Sequence, residues 1–198
     1  NIRGFGIDLT HSIDLLEEHI GSGKTEISIV LTLLDCYVSL GAFGKALDVL
    51  ERSESVIKEV DEALWYFRKM HIYLAQGDFD ALAATLTSVD LSPEEKSRLR
   101  ELQLYGYALS QNDWLPLADH CKERYEETGE PYLLFKACEA MYRAEKWQDI
   151  VDYSDELLQS IYTYETSRIV IEATSQTGKY EVCLELIDQH IERFSSLQ

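Results

Sequence analysis

The chain has 198 residues, 45% of them apolar, with 36 acidic against 18 basic side chains and a formal charge of −18. That apolar share excludes a disordered chain, and the shortage of Lys and Arg disfavours a general nucleic-acid or anionic-membrane binder. Three prolines and ten glycines are too few for a turn-rich β protein and suit long helices.

Taken in chain order, helical spacing of apolar residues predicts helices at about 8–20, 25–40, 43–58, 61–76, 79–88, 93–111, 114–127, 131–145, 147–160, 163–177 and 180–195. The first is followed by Gly21-Ser22-Gly23-Lys24-Thr25, which ends like a nucleotide-binding P-loop. That motif needs a glycine where Glu18 stands and a strand ahead of the loop, so the stretch is expected to be a connecting loop. Further on, Ser92-Pro93-Glu94-Glu95 carries a capping box with proline at the first helical position. Gly129-Glu130-Pro131 joins a helix-ending glycine to a helix-starting proline. The boundary near Tyr162 to Thr166 rests on periodicity alone.

Five short breaks between these helices share one pattern: a tight turn, an aromatic, then a small or apolar residue three positions later. They are Gly41-Ala42-Phe43-x-x-Ala46, Gly77-Asp78-Phe79-x-x-Leu82, Asn112-Asp113-Trp114-x-x-Leu117, Glu145-Lys146-Trp147-x-x-Ile150 and Gly178-Lys179-Tyr180-x-x-Cys183. The aromatics lie 36, 35, 33 and 33 residues apart, which points to a helix-turn-helix unit of about 34 residues. Ile13-Asp14-Leu15-Leu16-Glu17 repeats as Leu47-Asp48-Val49-Leu50-Glu51, so the array enters in mid-repeat. With Asn1 in place of a methionine, the expectation is an excised piece of a larger protein. The units are a half-repeat over 1–24 and repeats over about 25–60, 61–92, 93–130, 131–162 and 163–198, together one repeat domain. The corner aromatics are expected to wedge between helices as core.

The corners resemble those of tetratricopeptide repeats, with Gly77-Asp78-Phe79 and Gly41-x-Phe43-x-x-Ala46 closest to that family's pattern. Its Trp-x-x-Leu-Gly opening is missing from the first helices. The resemblance implies an all-α fold, a right-handed α-solenoid of antiparallel helix pairs with about five and a half repeats. Other two-helix repeats share the period; the RNA-binding pentatricopeptide class is one, and the charge argues against it. The resemblance also implies a concave face lined by the first helix of each pair. Counting back from the corner aromatics places Asp35 on that face in the first full unit, and Phe67 and His71 in the second. The third unit gives Leu99, Leu102, Gly106, Leu109 and Ser110. Tyr132, Phe135, Glu139, Tyr142 and Arg143 follow in the fourth, and Glu165, Arg168, Glu172, Ser175 and Gln176 in the fifth.

Aromatic anchors with a few polar groups suit a peptide or helix ligand, a basic one in view of the acidic field. Tyr132, Tyr142, Arg143 and Arg168 together suit a carboxylate or a peptide backbone. Cys36, Cys121, Cys138 and Cys183 are widely spaced, with no C-x-x-C, and read as reduced thiols of a cytoplasmic protein. None of the five histidines forms a zinc-ligand pair, and no nucleophile signature is present. The expectation is therefore a protein- or peptide-binding scaffold without cofactor or metal, and not an enzyme. A ligand-sensing repeat region of a larger regulatory protein is the alternative. A catalytic pair of Asp35 and His71, at matching positions of adjacent units, and a dimerisation arm are further ones.

Overall fold

The structure, a computed structural model, describes residues 9–21, 26–86 and 91–195. Among these it forms thirteen helices and no strand. Most of the P-loop-like stretch, Ser22 to Thr25, lies outside the described residues. The chain divides into two compact units, residues 1–106 and 107–198.

The first unit holds α1 (Leu9–Gly21), α2 (Ile27–Ser39), α3 (Phe43–Arg52), α4 (Glu54–Val60), α5 (Glu62–Gln76), α6 (Phe79–Thr85) and most of α7 (Pro93–Gln111). α2 packs on α1 and α3, and α5 packs on α3, α4 and α6. Val30, Leu33, Leu34 and Tyr37, at helical spacing on α2, are buried with Ala46, Val49 and Leu50 of α3. Trp65 of α5 joins this core and donates its indole N–H to the Leu50 carbonyl at 3.2 Å. A second cluster gathers Met70, Leu82, Leu91 and Leu99.

The second unit holds the end of α7, then α8 (Leu115–Thr128), α9 (Pro131–Arg143), α10 (Trp147–Asp152), α11 (Ser154–Ser160), α12 (Tyr164–Gln176) and α13 (Tyr180–Ser195). α9 is buried along Leu133, Leu134, Ala137, Cys138 and Met141. It packs on α8, α10, α11 and α12; α12 also packs on α10, α11 and α13.

All five expected corners share one backbone device. The residue two before each aromatic is left-handed: Gly41 (φ 69°), Gly77 (φ 78°), Asn112 (φ 54°), Glu145 (φ 57°) and Gly178 (φ 76°). At four of them the same two bonds close the preceding helix. Gly41 N–H donates to Val38 O and Ala42 N–H to Tyr37 O; Gly77 and Asp78, Glu145 and Lys146, and Gly178 and Lys179 repeat the pair. This is the Schellman arrangement, which satisfies carbonyls that the helix end leaves open. The next helix begins at the aromatic, except that α8 begins at Leu115, with Pro116 in its first turn, where a missing N–H costs no bond.

The residue three after each aromatic is buried without exception: Ala46, Leu82, Leu117, Ile150 and Cys183. The aromatics themselves correct the expectation of uniform core wedges. Trp114 is buried, Phe43, Phe79 and Trp147 are half-buried, and Tyr180 is 66% exposed.

Two expected helices are each broken once. The helix expected over 43–58 bends at Ser53, and that over 147–160 bends at Tyr153. Past each bend one side chain, Ile57 or Leu157, is fully buried. A single Ser or Tyr leaves the apolar period intact, so spacing alone shows no break. The box at Ser92 is present: Glu95 N–H donates to Ser92 Oγ, and Ser92 N–H donates to Glu95 Oε2 at 2.9 Å. The bond from Ser92 holds the Glu95 carboxyl below its ordinary range. The boundary near Tyr162 has a chemical cause as well, a reciprocal Thr163–Thr166 capping box.

Candidate functional site

The second unit brings four of the expected residues into one cluster. Glu165, Arg168 and Glu172 recur at three- and four-residue spacing on α12, so they share a face, and Tyr142 meets them from α9. Arg168 pairs with Glu165 at 2.5 Å and with Glu172 at 3.5 Å. Its Nη1 also donates to Tyr142 Oη at 3.1 Å, and Tyr142 O–H donates to Glu172 Oε2 at 2.6 Å. The guanidinium carbon lies 5.0 Å from the Tyr142 ring centre, and that ring stands edge-on to Trp147 at 5.4 Å. Glu165, then Tyr142, raise the affinity of Arg168 for its proton, and Arg168 in turn holds the Glu165 carboxyl below its ordinary range.

This cluster has two carboxylates against one guanidinium. Arg168 is already engaged on both sides, so a ligand carboxylate would have to displace a glutamate. The site favours a hydrogen-bond donor or a cation instead. Glu165 is the position that counting fifteen back from Tyr180 supplies, and it joins the cluster through Arg168.

The other expected residues of this unit stand in separate pairs. Tyr132 is exposed, with the Lys136 ammonium 5.6 Å above its ring. Lys136 also reaches Glu139 at 3.9 Å. Phe135 is half-buried. Arg143 lies over the Trp114 ring at 5.5 Å, and its charge helps to hold Glu165 ionised.

In the first unit, the ion-pair partner of Asp35 is Arg68, at 2.8 Å, rather than His71. The exposed His71 ring stacks on Phe67, with centres 6.3 Å apart and planes 9° apart. Arg68 stands three residues before His71, the position that the repeat matches to Asp35, and so lies one turn earlier on the same helix. The third-unit positions divide. Leu99 and Gly106 are buried, and a side chain on Gly106 would meet Leu82 at 3.1 Å. These two belong to packing between α7 and α6 rather than to an open face.

Among the described residues, no group of three or more His, Cys, Asp or Glu is placed to hold a metal ion. No described helix is long and apolar enough to cross a membrane. No family model, curated protein or solved structure gives a significant match to this chain.

Proposed function

We propose that the chain is a tetratricopeptide-like binding module, a right-handed α-solenoid of antiparallel helix pairs that holds a protein or peptide on the faces of its first helices. The supporting observation is the repeated corner: five left-handed residues, each two before an aromatic and five before a buried side chain. Units of one geometry stack through one kind of interface and leave one recurring face for a guest. On that face the Tyr142–Arg168–Glu172 cluster offers a flat aromatic and a surplus carboxylate. It suits a peptide with a Lys or Arg side chain or an open backbone N–H.

The role as a carboxylate holder is set aside in favour of this one, because Arg168 is paired within the chain. The test is selection from a displayed library of basic peptides, followed by affinity measurement on variants. Tyr142→Ala and Arg168→Ala, each shown by circular dichroism to remain folded, should weaken the selected peptide by about tenfold or more. Unchanged affinity in both removes the assignment of the site.

A further inference from the structure

α12 rests on α9, α10 and α11, and α13 rests on α12. The offset of 33 between Trp147 and Tyr180 relates Cys138, Ile150 and Leu157 to Ile171, Cys183 and His190. The first three are fully buried. Their counterparts, with Ile187, line an open groove of about 460 Å³. The earlier helices are covered by α12, whose buried side chains are small or β-branched: Thr166, Ser167, Ile169, Val170, Ala173 and Thr174. The same register in the later pair is open.

The groove continues into an apolar stripe. Tyr180, Leu184, Ile187 and Ile191 recur along one face of α13, and Tyr180, Leu184 and Ile191 are each more than half exposed. Scattered apolar residues on a surface need no explanation, but a contiguous stripe rimmed by polar groups marks an interaction site. The rim is acidic. Glu181, Glu185, Asp188 and Glu192 are exposed along α13, and Glu172 lines the groove. Of the nearby cations, Arg168 is paired with Glu165, and Arg193 lies 3.9 Å over the Tyr162 ring.

We propose that the α12–α13 groove docks one amphipathic helix of a partner protein, with small and β-branched residues on its apolar stripe and Lys or Arg on its flanks. The shape follows from what α12 does on the preceding helices, and the charge follows from the rim. A second copy of this chain would bring two acidic rims together. The inference extends the binding module proposed above: the groove shares Arg168 and Glu172 with the Tyr142 cluster and adds the exposed stripe of α13.

The probe is a labelled, end-capped peptide of the α12 sequence, residues 164–176, carrying Glu165→Lys and Glu172→Lys, titrated at low salt and read by fluorescence anisotropy. Saturable binding is expected, and it should weaken as salt screens the rim. Leu184→Glu and Ile191→Glu change exposed positions, so folding is retained. Each should lower affinity by about tenfold or more, while Leu40→Glu, the same change at an exposed position of the first unit, leaves it unchanged. Absence of saturable binding, or binding indifferent to both variants, overturns the proposal. So does concentration-dependent dimerisation by light scattering that either variant abolishes, which would give the face to a second copy. Retention of the library-selected peptide by Leu184→Glu, with the α12 probe lost, separates the failure of one surface from that of the other.

Discussion

The two units make the same corner from different residues. In the first, Gly41 and Gly77 take the left-handed position; in the second, Asn112 and Glu145 take it before Gly178 returns to glycine. A left-handed backbone costs an L-residue roughly 1–2 kcal/mol, and glycine nothing. Asn tolerates it through its short polar side chain, whereas Glu has no such excuse. That Glu145 keeps the geometry, with the same pair of bonds from Glu145 and Lys146 back to Tyr142 and Met141, shows what sets the corner. The packing on either side, Met141 and Ile150 both buried, dictates the turn, and the residue at the turn follows.

The comparison can be broken by exchanging the residues. Gly41→Ala and Gly77→Ala add a side chain into open space, so the backbone alone decides the effect. Each should destabilise by about 1–2 kcal/mol. Glu145→Gly should act in the opposite direction and stabilise by about 0.5–1 kcal/mol, the relief of strain being partly offset by the freer unfolded chain. Urea unfolding of the three variants against the parent checks both signs. A loss of stability in Glu145→Gly would mean that its side chain does something at the corner that the backbone account omits.

That corner also shows how far the sequence was legible. The spacing of five aromatics located the left-handed residue of each corner, because the turn has a fixed length and the helix behind it a fixed rise. The exposure of the aromatics was not legible, since it depends on whether another helix follows on that side. Trp147 has α12 packed beside its helix, and Tyr180 has no described helix there beyond α12. The site shows the same division. Position counting put Tyr142, Arg168 and Glu172 on one face, and they meet because their helices, α9 and α12, pack together. It gave the wrong chemistry for them, because Glu165 and its bond to Arg168 depend on rotamers that spacing does not encode. Asp35 of α2 does meet α5, yet its partner there is Arg68 rather than His71.

Alkaline pH sharpens the contrast between the units. In the first, burial and then the hydrogen bond to Glu17, at 2.6 Å, push the Tyr37 hydroxyl from 10.0 up to about 12. The unfolded chain then sheds this proton above pH 10 while the folded chain keeps it to about 12. The unfolded state binds fewer protons across that window, so stability falls as pH rises through it. In the second, burial pushes the Cys138 thiol from 9.0 up to about 12, and the fall it causes begins one pH unit lower. Tyr37→Phe should flatten the decline between pH 10 and 12 and leave the onset near 9; Cys138→Ala should remove the onset. Denaturation midpoints measured at successive pH values from 8 to 12 separate the two. Parallel curves for parent and Tyr37→Phe would refute the role of Tyr37.

The smallest effect concerns the thiols at neutral pH, where it changes a rate rather than stability. Cys36 in the first unit is half-buried, while Cys121, Cys138 and Cys183 in the second are buried, and none is in a disulfide. The thiolate is the reactive species, and burial in apolar surroundings suppresses it. A thiol reagent should therefore modify Cys36 first and Cys138 only as fast as the second unit opens; all four should react at once in denaturant. Cys183 is the informative intermediate. It borders the α12–α13 groove, and its sulfur lies 3.5 Å from the Ile171 carbonyl. If a basic helix docks there, adding the α12-derived probe should slow Cys183 and leave Cys36 unchanged. Equal slowing of both would mean that the peptide acts on the chain as a whole rather than on that face.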